Sequence, residues 1–473
     1  MTVTLSDELA AFAAEVSVEQ VAPSISDAAR RHSADTLVAA IAGACMPMND
    51  TYLAAVKASA PAGEVLVPGT DIRTDAASAA SCMAGLAHST EADDGYRIGS
   101  YHPGAVCVPA ALSLGYVNGQ TLSEILSAVI AGYEISCRIS ELLHPMSRKR
   151  GFHNTAIIGV FGAAATAGHL FSLDKLQMRH ALGIAASSAG GLFAFVEGGD
   201  TKRLHPAHAV KAGIEAAIFA GEGMTGPPDI LQGRNGFLAA FAGEDALKRA
   251  ADMKFSSDRL VADKCYIKPY ACCRHLHPGM EAVMVITSEH GLSLEDISRI
   301  DIKTYSIAAA HADVGWERAA SAQLSYPFCV AAALVHGLIA PSHFSDAYLR
   351  DSRVNALAER IHIEADNDLD ARYPAERPAS IVLKTRDGAH FERVISIPLG
   401  APERPLDDEG FHLKLSRMLE PSSDPSSVKQ FVDAIINGGL SSKLPSALFE
   451  GQFAPRPKPD QEQAFVAASS TQH

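Results

Sequence analysis

The chain lacks any concentration of positive charge. No run of lysine or arginine is longer than "RKR" at 148–150, and the formal net charge over 473 residues is −14. That excludes nucleic acid as the main partner, because phosphate-backbone binding needs clustered cations. The opening "MTVTLSDELAAFAAEV" has no basic segment ahead of an apolar core, so no signal peptide is read there. The eight cysteines are scattered, with no C-x-x-C, and no H-E-x-x-H occurs. Without an export signal they are expected to be reduced, in a cytoplasmic protein. There is no G-x-x-x-x-G-K-[ST], no strand followed by G-x-G-x-x-G and no G-x-S-x-G, which removes the phosphate-loop, dinucleotide and serine-hydrolase templates. No internal repeat is visible.

At 47% hydrophobic and 20% charged residues, the composition is that of a globular protein with a large core. Apolar residues recur at three- and four-residue spacing from residue 5 to about 265, for example in "TLSEILSAVIAGYEISCRISELL", and two-residue alternation is confined to the short "GEVLVPG". The uncharged run "TAIIGVFGAAATAGHLFSL" (155–173) approaches membrane-spanning length, but it is rich in small residues and is followed by a second such run, "ALGIAASSAGGLFAFV". Close helix packing in the centre of a helical protein explains both better than a membrane span. The texture changes after "KPYACCRH": "ISRIDIKTY" (297–305) alternates, and "SIVLKTRDGAHFERVISIP" (380–398) is two alternating runs joined at Asp387-Gly388, a hairpin signal. The expected fold is therefore mainly α. A large all-helical domain spans 1–268 and is completed by 405–455, a smaller α+β domain spans 269–404, and 456–473 is a loosely held tail.

Four polar clusters interrupt the apolar background: "HSTEADDGYRIGSYHPG" (88–104), "RKRGFHNT" (148–155), "GGDTKRLHPAH" (198–208) and "KPYACCRHLH" (268–277). Asn154 or Thr155 is placed to cap the helix after His153. In the third cluster a double glycine lets Lys202, Arg203, His205 and His208 crowd at a helix start, an arrangement that favours an anion. In the fourth, adjacent Cys272 and Cys273 cannot easily share one tetrahedral ion, so no metal is assigned. Asp94 and Arg97 are expected to form a structural pair, His88 to be a satisfied core histidine, and Cys272 and Cys273 to form a packed turn. What remains is acid–base work by His, Asp, Glu, Lys and Tyr, with cations to hold an acidic substrate.

In this order the clusters resemble the MmgE/PrpD family. "AHSTEADDG" followed by "HPG" parallels A-H-A-x-D-F-D-D-T and H-P-G, and "RGFHNTAIIGVFGAAA" parallels R-G-W-H-P-T-x-x-x-G-x-F-G-A-A-A. "TKRLHPAHAVKAG", "KPYACCRHLH" and "SAQLSYPFCVAAALVHG" parallel three further family motifs. The resemblance implies a helical domain and a lid with the site between them, a homodimer, small di- and tricarboxylate substrates, and no metal or organic cofactor. By position it implies active-site roles for Glu91, Asp93, His102, His153, Lys202 and Lys268. Arg274, Cys273 and Arg97 are added as substrate-binding candidates. Glu91 and Gly95 depart from the first motif, and Cys273 and Phe328 stand where the decarboxylases of the family carry histidine and tyrosine.

A proton next to a carboxylate is weakly acidic, so its removal needs a positioned base and cations that stabilise the developing enolate-like charge. Glu91 or Asp93 serves as that base or holds a histidine in its working tautomer, His102 delivers a proton, and Lys202, Lys268 and Arg274 bind carboxylates. The leading expectation is a 2-methylcitrate dehydratase-like lyase. An epimerase, racemase or decarboxylase on a related polycarboxylate is the alternative, and a noncatalytic metabolite-binding protein the reading from another class.

Overall fold

The computed structural model describes residues 3–253, 255–422 and 424–451; the expected tail at 456–473 lies outside the described residues. The uncharged run forms the Asn154–Leu170 helix, in which every residue but His169 is buried. It packs against the Leu122–Leu143 and Leu204–Gly221 helices. Small residues make that approach possible: a Cβ at Gly213 would lie 2.5 Å from Ala163 Cβ and 2.7 Å from Val160 O, and one at Gly132 would lie 2.1 Å from Thr166 Oγ1. Among the described residues no helix is long and apolar enough to cross a membrane. Around this centre run the Pro23–Ala44, Ala76–Ser89 and Gly104–Val117 helices.

The later part of the chain carries a four-stranded sheet in the order Ile361–Ala365, Ile297–Thr304, Ala379–Thr385, His390–Ile395. Ile297–Thr304 runs antiparallel to Ala379–Thr385, with Ile302 opposite Ile381, and parallel to Ile361–Ala365, with Ile300 opposite Ile361. The hairpin turns at Asp387-Gly388, where Gly388 has φ +92°. The Ile361–Ala365 strand was not expected. It is an edge strand with only Ile361 buried, so it carries little of the alternation that marks a half-buried strand. The His277–His290 helix covers one face of the sheet.

The chain's last long helices, Asp408–Leu419 and Pro425–Asn437, return to pack on Pro23–Ala44. Buried Lys414 sits 2.5 Å from Asp35 Oδ1 and donates to Ala92 O at 2.9 Å. The returning helix thus holds the loop that carries Glu91 and Asp93.

Gly213→Ala should destabilise the protein by about 1–3 kcal/mol, because the new methyl meets backbone atoms of the central helix that cannot yield. Chemical denaturation measures this, and an unchanged midpoint would show that the helices have room to separate.

Candidate active site

The Ala76–Ser89 helix begins at Asp75, whose side chain accepts from Ser78 N at 3.0 Å, and it ends in the acidic loop. The loop's first acid, Glu91, has φ +54°, a conformation that costs a side-chain-bearing residue about 1–3 kcal/mol and persists where surrounding contacts over-determine it. Those contacts are two lysines. Lys268 Nζ, fully buried, donates to Glu91 O at 2.9 Å and to Glu91 Oε2 at 3.0 Å, while Lys202 Nζ pairs with Glu91 Oε1. Lys268 Nζ also lies 3.6 Å from Asp93 Oδ1. Lys268 is placed by backbone bonds of the two residues before it: Tyr266 N donates to Gly95 O at 2.8 Å and Ile267 N to Gly400 O at 3.0 Å. Gly95, a departure from the family motif, suits this contact, since a Cβ there would lie 2.2 Å from the Tyr266 hydroxyl oxygen.

Asp93 is wholly buried and faces two histidines. Its Oδ2 is 2.6 Å from His88 Nδ1 and 3.2 Å from His102 Nδ1. Burial pushes the Asp93 carboxyl up, but the His102 and His88 rings and the nearby Lys268 ammonium more than offset it and hold it well below the ordinary carboxylate value. His102 Nδ1 is also 2.6 Å from the carbonyl oxygen of Asp94. A carbonyl only accepts, so Nδ1 carries the proton and Nε2 is left as the ring's acceptor. With 19% of its side chain exposed, His102 has an accessible edge. Asp93 and the Asp94 carbonyl together fix the orientation of the His102 ring.

His88 corrects the expectation of a satisfied core histidine. It is fully buried, but its Nε2 has no hydrogen-bond partner. Burial, chiefly, and the Lys202 charge push its pKa down to about 3, so the neutral ring donates from Nδ1 to Asp93. His88 stacks on His153 at 5.6 Å between centroids. His153, held well below its ordinary value by burial and by His88 and His205, shares a 2.7 Å Nδ1–Nδ1 hydrogen bond with His205. Neither Asn154 nor Thr155 caps the following helix. His153 holds the cap position without a side-chain bond, because Asn154 is occupied in donating to Gly99 O and accepting from Ser147 Oγ.

Six of the sequence candidates thus converge: Glu91, Asp93, His102, Lys202 and Lys268 through direct contacts, and His153 through His88. Cys273 joins them electrostatically, since its charge acts on Lys202 and the Lys268 charge acts on it. Two candidates do not join. Arg97 does not pair with Asp94; it donates to Glu403 Oε1 at 2.5 Å, while Asp94 accepts from Tyr133 Oη at 2.7 Å and Gly104 N at 2.9 Å and lies 3.0 Å from His32. Arg274 is buried, and its guanidinium is used on Leu399 O, Pro398 O and His277 Nδ1. The packed-turn expectation holds for Cys272, whose Sγ rests on Met280 Sδ at 3.5 Å, but Cys273 is half-buried and faces His311. Phe328 is fully buried beside Trp316 and Phe344. In the third cluster Arg203 is a structural tie to Met48 O and Asn49 Oδ1, and His208 is exposed, so the expected crowd of cations reduces to Lys202.

Sequence reasoning missed Arg377 and His311. Arg377 is only 5% exposed and lies against the Tyr266 ring, 5.3 Å from its centroid, with its Nε unpartnered. No carboxylate among the described residues pairs with it. "AERPAS" reads as an ordinary polar loop and "AAAHADV" offers one isolated histidine, so neither had a local signal.

One trio among the described residues, His88, Asp93 and His102, brings possible metal-ligand atoms within 4.8 Å of one another. Hydrogen bonds account for that spacing, since the ring nitrogens that face Asp93 are the N–H nitrogens. Burial and the Lys268 charge push the Lys202 ammonium down to about 7, so a carboxylate arriving beside it meets a lysine that takes up a proton near neutrality.

Residues 7–250 match the MmgE/PrpD N-terminal domain and residues 270–437 the MmgE/PrpD C-terminal domain. Cis-aconitate decarboxylase from Aspergillus terreus is 24% identical over 460 residues, which cover 91% of this chain and 92% of the relative. The human protein of that name is 26% identical over 76% of each chain. 2-Methylcitrate dehydratase from Escherichia coli (strain K12) is 23% identical over 72% of this chain and 75% of the relative. With both domains matched in order over most of its length, the chain belongs to the MmgE/PrpD family.

Proposed function

We propose that the protein is a cofactor-independent lyase that removes a proton next to a carboxylate of a small hydroxy di- or tricarboxylate and expels water, as a 2-methylcitrate dehydratase does. The observation that carries this reading is His102: its Nδ1 proton is fixed by Asp94 O and Asp93, so Nε2 is free to exchange a proton with substrate beside Lys202 and Lys268. One substrate carboxylate binds at Lys202, and the paired lysines stabilise the charge that grows as the C–H bond breaks. A second carboxylate takes Arg377, a buried cation that no carboxylate among the described residues pairs with. The relatives that cover nine-tenths of this chain are named cis-aconitate decarboxylases, which favours decarboxylation as the second reading; it uses the same cations, with carbon dioxide as the leaving group. We take the protein to act as a cytoplasmic homodimer, as the family resemblance implies.

Incubation with a panel of hydroxy and unsaturated polycarboxylates in deuterated water separates these readings. Dehydration raises the ultraviolet absorbance of an unsaturated acid, decarboxylation releases carbon dioxide, and epimerisation incorporates deuterium without either. No exchange and no turnover on any member would leave a binding protein. On the substrate so identified, His102→Gln should bind nearly normally and turn over about 100-fold more slowly, the usual range for loss of a general acid or base.

Carboxylate binding should weaken as pH rises through about 7, because Lys202 loses its cation above its own pKa. In Lys202→Arg that pH dependence should disappear, since guanidinium stays charged, although its flat fork fits the site less well. Isothermal titration across pH 6 to 9 checks both; equal pH dependence in the two proteins would remove Lys202 from the binding step.

Arg377→Met should leave the unfolding temperature unchanged or raise it, because a buried unpaired charge is replaced by an apolar chain of similar length. Loss of a charged hydrogen bond worth about 1.5–3 kcal/mol should weaken polycarboxylate binding by roughly tenfold or more. Thermal denaturation and titration test the two halves. A variant that loses stability and keeps its affinity would show Arg377 to be structural.

A further inference from the structure

Cys273 and His311 come from separate segments of the C-terminal domain, and nothing in the proton chemistry above uses them. Sγ of Cys273 is 3.8 Å from His311 Nε2. On the other side of the ring, His311 Nδ1 is 2.9 Å from the carbonyl oxygen of Leu324. That carbonyl must accept, so Nδ1 carries the proton and Nε2 is the nitrogen that receives a proton from sulfur. This is a thiol, a base and a group that orients the base, with Cys273 half-buried in the turn. The turn is tied to the acidic loop: Cys273 N donates to Gln323 O at 2.9 Å, and Gln323 Nε2 donates to Ser89 O at 3.0 Å, two residues before Glu91.

We propose that Cys273 and His311 form a thiolate–imidazolium pair that serves as a second proton carrier in the carboxylate site, supplied by the C-terminal domain as His102 is by the N-terminal one. The role rests on the carboxylate chemistry proposed above. The sulfur takes the proton from the carbon next to a substrate carboxylate. The C–H electron pair stays on the substrate as an enolate-like anion, and the thiolate becomes a thiol. In return, the S–H gives its proton to that carbon or to the leaving group. Sulfur forms no bond except to hydrogen, and no oxidant is needed.

The surroundings favour the charged sulfur. Burial pushes the Cys273 thiol up, but the His311 charge and hydrogen bond, a bond from the His275 backbone and the Lys268 charge bring it down to about 6. Lys202 and Arg377 are further cations that feel its charge. The other titratable groups facing it, Tyr305, Tyr326 and Cys329, are pushed up by burial, and His275 is pushed down by burial, so all stay neutral. Cys272, the adjacent thiol, is fully buried.

Alkylation of the intact protein, read by mass spectrometry, tests the pair without any substrate. Cys273→Ser identifies the modified sulfur against Cys272. The rate of Cys273 modification should show a midpoint near pH 6 and rise by about two or more pH units in His311→Asn, toward an ordinary thiol. Iodoacetate should react faster than neutral iodoacetamide, because the surrounding cations draw in a carboxylate. A midpoint above about 8 in the unaltered protein, or the same midpoint in His311→Asn, overturns the pair. In deuterated water, Cys273→Ser should exchange the substrate proton about 100-fold more slowly with its affinity kept; full exchange in that variant overturns the proton-carrier role. A low alkylation midpoint in a protein that exchanges no polycarboxylate would keep the pair and remove both the carboxylate reading and the proton-carrier role built on it.

Discussion

The Lys268 ammonium is the constraint on which the site is built. It has no exposed surface, and an ammonium taken out of water is tolerable only when anionic and carbonyl oxygens replace its hydration. Glu91 supplies both, a carboxylate oxygen and its own carbonyl, and does so by adopting a backbone conformation that it would otherwise avoid. The strain at Glu91 and the burial of Lys268 therefore sustain each other. Breaking such a pair by removing one partner costs about 3–5 kcal/mol, which locks the acidic loop onto the start of the C-terminal domain. Lys202 and Lys414 reach the same loop from two other parts of the chain, so three distant parts are held to one short segment.

Adjacent aspartates in that segment do different work because of what packs on each. Asp94 is absorbed by the fold: a tyrosine hydroxyl, a helix-start N–H and His32 take up its oxygens. Asp93 is left to two imidazoles. The carbonyl of Asp94 then sets the tautomer of His102, so the structural aspartate positions through its backbone the ring that the other aspartate faces.

Much of the architecture could be read from residue patterns, because it rests on local rules. The small-residue run had to be a close-packed helix, and Asp387-Gly388 between alternating runs had to be a hairpin. The edge strand at Ile361–Ala365 escaped because a strand with one buried residue has almost no pattern. In the site, Glu91, Asp93, His102, Lys202 and Lys268 stood in dense polar motifs and came together. Arg97 and Arg274 stood in the same motifs and were misjudged, since spacing says which residues are near a turn but not which oxygen each guanidinium will find. Glu403, 306 residues from Arg97, leaves no trace near it. Arg377 and His311 lie in unremarkable loops, and only the tertiary fold gives them neighbours.

The charge balance of the cleft argues for what it takes up. Lys202 and Lys268 both hold Glu91, Lys268 also nears Asp93, and Arg377, buried against the Tyr266 ring, pairs with no carboxylate among the described residues, in a protein whose formal net charge is −14. The buried histidines around them add no positive charge: burial keeps His88, His153, His205 and His275 neutral. On the proposed reading, a substrate carboxylate beside Lys202 restores its protonation as it binds. Binding and proton uptake are then one event, and a neutral analogue of the same shape would lack both the attraction and the proton.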